Sequence, residues 1–356
     1  MERPIIKPIG SSLWDLDTPA LFIDKDQIIG NWIAVKSFFL ATGTKFRSNG
    51  SVFRTPAIYH MLEVTSVYVD TVSEGLVFAS AGFEDITVGR MPVSDNGGLL
   101  ESLISQSNLT ICISSKKEFE YLKDLTETFS TSNEVNILIR VSLEHAQMGI
   151  EIETIDWEEI EELSSSNGFH KIGFIFRLPI ESTLDQNIAM LDDLSGYFKE
   201  NDPCNSMTQH PVVAFASSIT DPQITSSFIT EIIEDPLILE PSINNQEGAV
   251  PFGVLSSVMS RPEPALALID CGQKAISTDR GVPAISGMRG AHIEKMSAEH
   301  GFLILGPESS SLNLGEKIVL SPSDIGDTFN LYDYVNVLSD EKLTAIWKVE
   351  ARGKYV

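Results

Sequence analysis

The chain has 356 residues, of which 42% are hydrophobic and 21% charged, an ordinary composition for a globular protein with room for two domains. Its formal net charge is −25 at pH 7, and a surface this acidic repels nucleic-acid phosphate and anionic lipid. We therefore expect neither a nucleic-acid nor a membrane partner. A solvated acidic surface is the favoured interpretation, with recruitment of a basic partner or adaptation to salt as alternatives.

The sequence carries no sign of export or of a membrane anchor. No apolar run reaches the ~18 residues that a membrane helix needs. The first residues, M-E-R-P-I-I-K-P-I-G, lack the apolar stretch of about 7–15 residues found in a signal peptide. Cys112, Cys204 and Cys271 are widely spaced and lack the C-x-x-C pairing of zinc sites. These features predict a cytoplasmic protein with reduced thiols.

The first predicted elements are an extended segment over residues 1–14 and a helix over residues 26–40, where apolar side chains recur at helical spacing. Apolar runs typical of strands then alternate with amphipathic segments. The predicted strands are residues 44–48, 67–71, 85–90, 109–114, 136–142, 171–178, 212–217 and 237–241. The predicted helices between them are residues 73–81, a segment ending near 105, and residues 116–128, 156–166 and 186–200.

Alternation of strands and helices over about 250 residues predicts an α/β fold, a (β/α)8 TIM-type barrel. After residue 261 the pattern changes to short strands separated by turns, which predicts an all-β C-terminal domain. Its strands are predicted at residues 265–270, 291–295, 301–305, 316–320, 332–338 and 343–349. The predicted domains are the barrel at 20–260, the β domain at 261–356, and an N-terminal strand within 1–19 that joins the β domain.

Short motifs follow one another in a fixed order along the chain. The N-terminal region has D-L-D-T-P-A-L-F-I-D at 15–24 and G-F-E-D-I-T-V at 82–88. The C-terminal third has D-C-G-Q-K-A-I-S at 270–277, E-H-G at 299–301 and N-L-Y-D at 330–333. In this order the chain resembles the D-threonine aldolase and D-serine dehydratase family. Members of that family are pyridoxal-phosphate (PLP) enzymes with an alanine-racemase-type barrel, PLP fold type III.

The resemblance implies a barrel followed by a β domain, and a homodimer in which one subunit's β domain faces the other's barrel. It also implies a lysine that holds PLP as a Schiff base. The strand with that lysine reads roughly R-P-H-V-K-T-H-K-x-P-x-I and aligns with residues 47–58. The lysine falls on Ser51, the first histidine on Asn49 and the second on Phe53. A serine cannot supply the amine that an aldimine requires.

Other positions of the implied cofactor pocket also differ from the family pattern. The arginine of R-x-G-V falls on Gln147, while the tyrosine and histidine of a later strand fall on Arg177 and Ile180. The glycine-threonine turn for the PLP phosphate falls on residues 214–220, where bulky side chains such as Phe215 disfavour close approach of the backbone. The differences together predict that PLP is not bound and that no residue is catalytic in the family's sense.

The family's divalent-metal motif, P-x-H-x-C or P-x-H-x-D, falls on P-S-D-I-G at residues 322–326. Asp324 could bind a hard cation, whereas Gly326 has no side chain to contribute. Aspartates in turns usually make local backbone hydrogen bonds, which is the favoured interpretation of Asp324. A divalent metal at this position is the alternative.

The C-terminal ends of barrel strands build the sites of such folds. We therefore predict a ligand pocket from Asn49, Ser51, Arg177, Ser217 and Ser218. For Asn49 and Ser51, polar filling of a vacated pocket is favoured over ligand contact. For Arg177, binding of a carboxylate or phosphate and pairing with a nearby glutamate are left open.

Two functions follow from these observations. The first is a relative without PLP catalysis that binds a small, amino-acid-like ligand or regulates an active homologue through mixed dimers. The second is an amino-acid lyase or aldolase that uses the remodelled pocket, with or without a divalent metal. If the protein is an enzyme, the resemblance implies a carbon–carbon or carbon–nitrogen lyase acting on a D-amino acid or a 3-hydroxy amino acid.

Overall fold

A computed structural model describes residues 7–92, 97–130, 133–143, 148–156, 158, 169–178, 183–201, 212–215, 229–234 and 250–356. The chain divides into two compact units. The first, the β unit, comprises Met1–Ala34, Val52–Ile58 and Ile238–Gly353. The second, the barrel unit, comprises Val35–Ser51, Tyr59–Leu237 and Lys354–Val356.

The strands of the described residues, in chain order, are β1 (Ala20–Asp24), β2 (Lys45–Asn49), β3 (Ser66–Val69), β4 (Asp85–Val88), β5 (Asn108–Ile113), β6 (Val135–Ser142), β7 (Ile150–Glu151), β8 (Phe169–Arg177), β9 (Val212–Phe215), β10 (Glu231–Glu234), β11 (Phe252–Glu263), β12 (Leu266–Ile269), β13 (Ala284–Ser286), β14 (Ala291–Met296), β15 (Gly301–Leu305), β16 (Lys317–Ser321), β17 (Tyr334–Ser339) and β18 (Lys342–Lys348). The helices are α1 (Lys25–Thr42), α2 (Gly50–Phe53), α3 (Pro56–Met61), α4 (Val72–Ser80), α5 (Gly97–Gln106), α6 (Lys116–Thr126), α7 (Leu184–Asn201) and α8 (Ile325–Asn330).

Eight parallel strands of the barrel unit close into a ring, in the order β2, β3, β4, β5, β6, β8, β9 and β10. The ring closes at β2, which pairs with β3 on one side and with β10 on the other, where Arg47 lies opposite Ile233. In the described residues, helices connect β2 to β3, β3 to β4, β4 to β5, β5 to β6 and β8 to β9, because parallel neighbours need a crossover. The predicted (β/α)8 barrel followed by a β domain is confirmed.

The barrel interior is a packed core. Side chains of alternate strand residues point inward and form one buried cluster: Tyr68, Cys112, Leu138, Ile175, Val213 and Ile233. Burial raises the pKa of the Tyr68 hydroxyl well above its usual value and that of the Cys112 thiol to about 11. Both groups are therefore neutral at pH 7.

At the amino end of the barrel, the buried cation Arg47 is fully paired. Its Nη1 and Nη2 atoms donate to the two carboxylate oxygens of Asp85 at 2.8 and 3.1 Å, and its Nε donates to Glu231. Burial disfavours the charged guanidinium, but the charges of Glu231 and Asp85 outweigh that effect and hold the pKa of Arg47 above its usual value. The ion pairs tie β2 to β4 and β10.

The β unit is built on the long strand β11, which pairs antiparallel with β1, β12 and β16, while β1 pairs in parallel with β17. Its core includes Leu13, Leu16, Ala20, Phe22, Leu255, Val319, Leu338 and Leu343. Within the predicted N-terminal segment, Ser12 forms an antiparallel bridge with Lys342 of the β unit, and the first strand of the sheet is Ala20–Asp24. Strand β11 begins at Phe252, before the predicted domain boundary at residue 261, and the sequence pattern did not predict this strand.

Most predicted elements match observed ones to within a few residues. The sequence missed the short helices α2 and α3, and the last barrel strand is Glu231–Glu234. The strand predicted at 237–241 lies outside the described residues, as does nearly all of the helix predicted at 156–166. Of the described helices, none is both long enough and apolar enough to cross a membrane.

Replacing Arg47 with methionine is expected to lower the free energy of unfolding by about 3 kcal/mol, because Glu231 and Asp85 lose their buried cation. This value is at the low end for a broken buried pair, since the Asp85 side chain is 42% exposed. Urea unfolding measures the change. The matched control is Lys45→Met, at the exposed start of the same strand, with an expected change below about 0.5 kcal/mol. Equal losses in both variants would contradict this role of Arg47.

Candidate functional site

The carboxyl ends of the barrel strands and the residues just after them, which we call the barrel mouth, are where the sequence predicts a ligand pocket. Strand β2 ends at Asn49, and the chain turns at once into helix α2, so that Ser51 lies in the first turn of that helix. The turn is tight: a Cβ atom on Gly50 would lie 2.8 Å from the ring of Phe78. Glycine therefore allows the backbone to pass this point.

The hydroxyl of Ser51 is held by protein groups on both sides. Its Oγ donates to Oε2 of Glu74 at 2.7 Å and accepts from the backbone N–H of Asp70 at 2.8 Å. The side chain is buried, with 5% of the residue surface exposed. Buried hydroxyls that both donate and accept are satisfied, so Ser51 has no need of an outside partner.

Glu74 belongs to the capping box that begins helix α4. The Thr71 hydroxyl accepts from the backbone N–H of Glu74, and the Glu74 carboxylate accepts from the backbone N–H of Thr71. The same Oε2 atom also accepts from the backbone N–H of Asp70 at 3.0 Å. Ser51 is thus part of the hydrogen-bond network that fixes the end of β3 and the start of α4.

Asn49 is also used inside the protein. It is buried, and its Oδ1 accepts from the backbone N–H of Ser51 at 3.0 Å. Its backbone carbonyl accepts from the hydroxyl of Tyr59. For Asn49 and Ser51 the structure favours polar packing over ligand contact. Phe53, at the second histidine position of the family pattern, is buried and packs edge-on against Phe329, with ring centroids 5.1 Å apart.

The residues present do not fit a lysine-bound PLP. The lysines between residues 20 and 260 are Lys25, Lys36, Lys45, Lys116, Lys117, Lys123, Lys171 and Lys199. Lys45 and Lys171 lie near the amino ends of β2 and β8, and the others lie on helices. Of these, Lys116 follows the end of a barrel strand most closely, but it starts helix α6 and is exposed.

The other predicted pocket residues are only partly described. Arg177 is the last residue of β8 and is half-buried, so it lies at the barrel mouth as predicted. Its contact with a ligand stays a prediction. Ser217 and Ser218 lie outside the described residues, as do Gln147 and Ile180.

Asp324 in the β unit uses both carboxylate oxygens within the protein. Its Oδ1 accepts from the backbone N–H of Asp327 at 2.8 Å and caps helix α8, and its Oδ2 pairs with Nε of Arg280 at 3.0 Å. Gly326 contributes only its carbonyl, which accepts from Arg54. This arrangement does not fit a divalent metal. In the described part of the chain, no three His, Cys, Asp or Glu residues are grouped to hold one.

The sequence did not single out Arg140, which lies on β6 two residues beyond the core residue Leu138. Its Nη2 donates to the carbonyl of Gly89 at 2.7 Å, and its Nε is buried without a hydrogen-bond partner. The Tyr68 hydroxyl approaches the same place and donates to Oδ1 of Asp70 at 3.2 Å. Arg140 could have been identified from the sequence as the charged residue in a mostly apolar strand.

Replacing Ser51 with alanine is expected to lower the free energy of unfolding by about 1–2 kcal/mol, because Glu74 and the Asp70 N–H lose a buried partner. Urea unfolding measures the change. The matched control is Ser105→Ala, which removes an exposed hydroxyl that donates to the carbonyl of Ser102, with an expected change below about 0.5 kcal/mol. An unchanged stability of the Ser51 variant would show that the network does not hold the serine.

Comparison with known proteins adds three kinds of similarity. The family model described as a putative serine dehydratase domain matches residues 252–338. D-threonine aldolase from Arthrobacter sp is 22% identical, over 97% of this chain and 95% of the relative. 3-Hydroxy-D-aspartate aldolase from Paracoccus denitrificans (strain Pd 1222) is 23% identical, over 96% of this chain and 93% of the relative.

Among solved structures, the crystal structure of D-threonine aldolase from Filomicrobium marinum superposes with a TM-score of 0.87 and 21% sequence identity. The match covers 98% of this chain and all of the other chain. At this level of identity the superposition establishes the shared fold.

Proposed function

The chain belongs to the D-threonine aldolase and D-serine dehydratase-like family, and from that premise we propose that it is a member without lysine-bound PLP chemistry that binds a small ligand at its barrel mouth. The observation that carries the proposal is the hydrogen bonding of Ser51. Ser51, on which the Schiff-base lysine of the family pattern falls, is buried, and its hydroxyl is bonded to Glu74 and Asp70.

The neighbouring positions support the loss of aldimine chemistry. An internal aldimine needs an amine directed into the pocket, and the lysines of the barrel region lie on helices or near the amino ends of strands. The second histidine position is filled by Phe53, which is enclosed in an apolar contact. PLP would find neither a lysine for covalent attachment nor the histidines of the family pattern. We therefore derive no reaction step through PLP.

Binding of a small ligand is supported by the charge of the barrel mouth. Arg140 and Arg177 lie at or near the carboxyl ends of β6 and β8, where ligands of this fold bind. The relatives are named for D-threonine and 3-hydroxy-D-aspartate, which are small amino acids. A ligand of that size, with an anionic group, fits the residues present.

Titration of the purified protein with PLP tests the loss of aldimine chemistry. We expect no saturable visible aldimine band and no lysine label after borohydride reduction, because no lysine lies at the end of a barrel strand. Weak labelling of exposed lysines is expected to grow without saturation.

Lys116→Arg is the control for the lysine that follows β5, and Lys45→Arg the control for the lysine that starts β2. Both are expected to behave like the wild type. A saturable, stoichiometric band in the wild type with label at one lysine would contradict the proposal, and its loss in one variant would identify that lysine.

A further inference from the structure

We propose that Arg140 anchors an oxyanion-binding subsite at the barrel mouth, which takes the carboxylate or phosphate group of a small ligand. The inference rests on the proposed function, because it names the group through which the ligand would be held. It places the recognition of the ligand at Arg140 on β6, four strands along the ring from β2, rather than at Asn49 and Ser51.

Two arginines inside the barrel unit have opposite environments. Arg47 is matched by two carboxylates within hydrogen-bonding distance. Arg140, by contrast, donates to the backbone carbonyl of Gly89 and is hydrogen-bonded to the hydroxyl of Tyr68, both uncharged groups, and its buried Nε is left without an acceptor. A partly buried guanidinium that lacks an anion is costly for a fold to keep, which points to an anion supplied from outside.

The groups around Arg140 do not supply that anion. Tyr68 and Cys112 are neutral at pH 7, since burial raises the pKa of each. Burial lowers the pKa of Arg140, whereas the charge of the nearby Asp70 is among the effects that raise it above its usual value. Asp70 accepts from the Tyr68 hydroxyl, and within the described residues no carboxylate forms an ion pair with Arg140. The guanidinium charge is therefore not matched by a partner in contact with it.

The position of Arg140 is fixed by its surroundings rather than by a counter-charge. Gly89, directly after β4, holds Nη2 of Arg140 through its carbonyl, and its N–H donates to the carbonyl of Val69 at 2.7 Å. A Cβ atom on Gly89 would lie 1.7 Å from the Tyr68 hydroxyl, so only glycine lets the tyrosine reach this point. Arg140 and Tyr68 thus converge on one backbone position.

The chemistry of the group favours a planar oxyanion. A guanidinium carries parallel N–H donors that match the spacing of two oxygens of a carboxylate or phosphate. Arg140 is half-buried, so part of the side chain stays accessible while the surroundings exclude some water. Lower local dielectric strengthens such an ion pair relative to one on the surface.

The test measures the melting temperature of the full chain against increasing acetate, D-threonine or inorganic phosphate, at constant ionic strength maintained with sodium chloride. Acetamide, the uncharged analogue of acetate, is the control ligand. A ligand that binds the folded state raises the melting temperature with a saturable dependence. We expect this rise with acetate or phosphate and not with acetamide. The probe that acts at the lower concentration identifies the source of the oxyanion.

The variants are Arg140→Gln, which keeps a donor for the Gly89 carbonyl, and Lys45→Gln, which removes an exposed charge at the amino end of the barrel. We expect Arg140→Gln to weaken anion binding at least about tenfold, the loss of one charge-assisted contact, and Lys45→Gln to leave it unchanged. Without ligand, Arg140→Gln is expected to melt no lower than the wild type, since an unmatched charge is removed.

A saturable rise that persists in Arg140→Gln would overturn the subsite and leave small-ligand binding intact. Absence of a saturable rise with acetate, D-threonine and phosphate alike in the wild type would also overturn it. A clearly lower melting temperature of ligand-free Arg140→Gln would make the arginine a structural residue. Whether the protein lacks PLP chemistry is tested separately, by the aldimine band and the labelled lysine.

Discussion

The hydrogen bonds of Ser51 are the constraint on which the functional interpretation depends. The hydroxyl joins the turn after β2 to the capping box of α4, through the carboxylate of Glu74 and the N–H of Asp70. Because one small side chain closes this network, the position aligned with a cofactor lysine has become part of the packing of the barrel. A long cationic side chain at Ser51 would have to displace bonds that fix two neighbouring strands.

The barrel unit contains two arginines whose surroundings differ, one near the amino ends of the strands and one towards their carboxyl ends. At the amino end, Arg47 is paired with Asp85 and Glu231 and ties three strands together. Towards the carboxyl end, Arg140 is hydrogen-bonded to the Gly89 carbonyl and the Tyr68 hydroxyl, and no carboxylate of the described residues pairs with it. Proteins can share a fold and differ in their sites, because the scaffold and the site use different residues.

Much of the fold could be predicted from the sequence, because strand–helix alternation and the order of short motifs both depend on local patterns. Helix α2 was missed because G-S-V-F gives too short a pattern for a helix. Polar filling was the favoured interpretation of Ser51, but its partners Glu74 and Asp70 could not be predicted because they are distant in sequence. Arg140 was missed because no motif covers it, and its isolation appears only when the strands are placed side by side.

A crystal structure of the protein as purified would show directly how the side chain of Ser51 is held. We predict electron density in which the Ser51 hydroxyl lies within hydrogen-bonding distance of the Glu74 carboxylate and the Asp70 N–H, with no pyridine ring attached nearby. Density for a lysine side chain joined to a pyridine ring at the barrel mouth would contradict it.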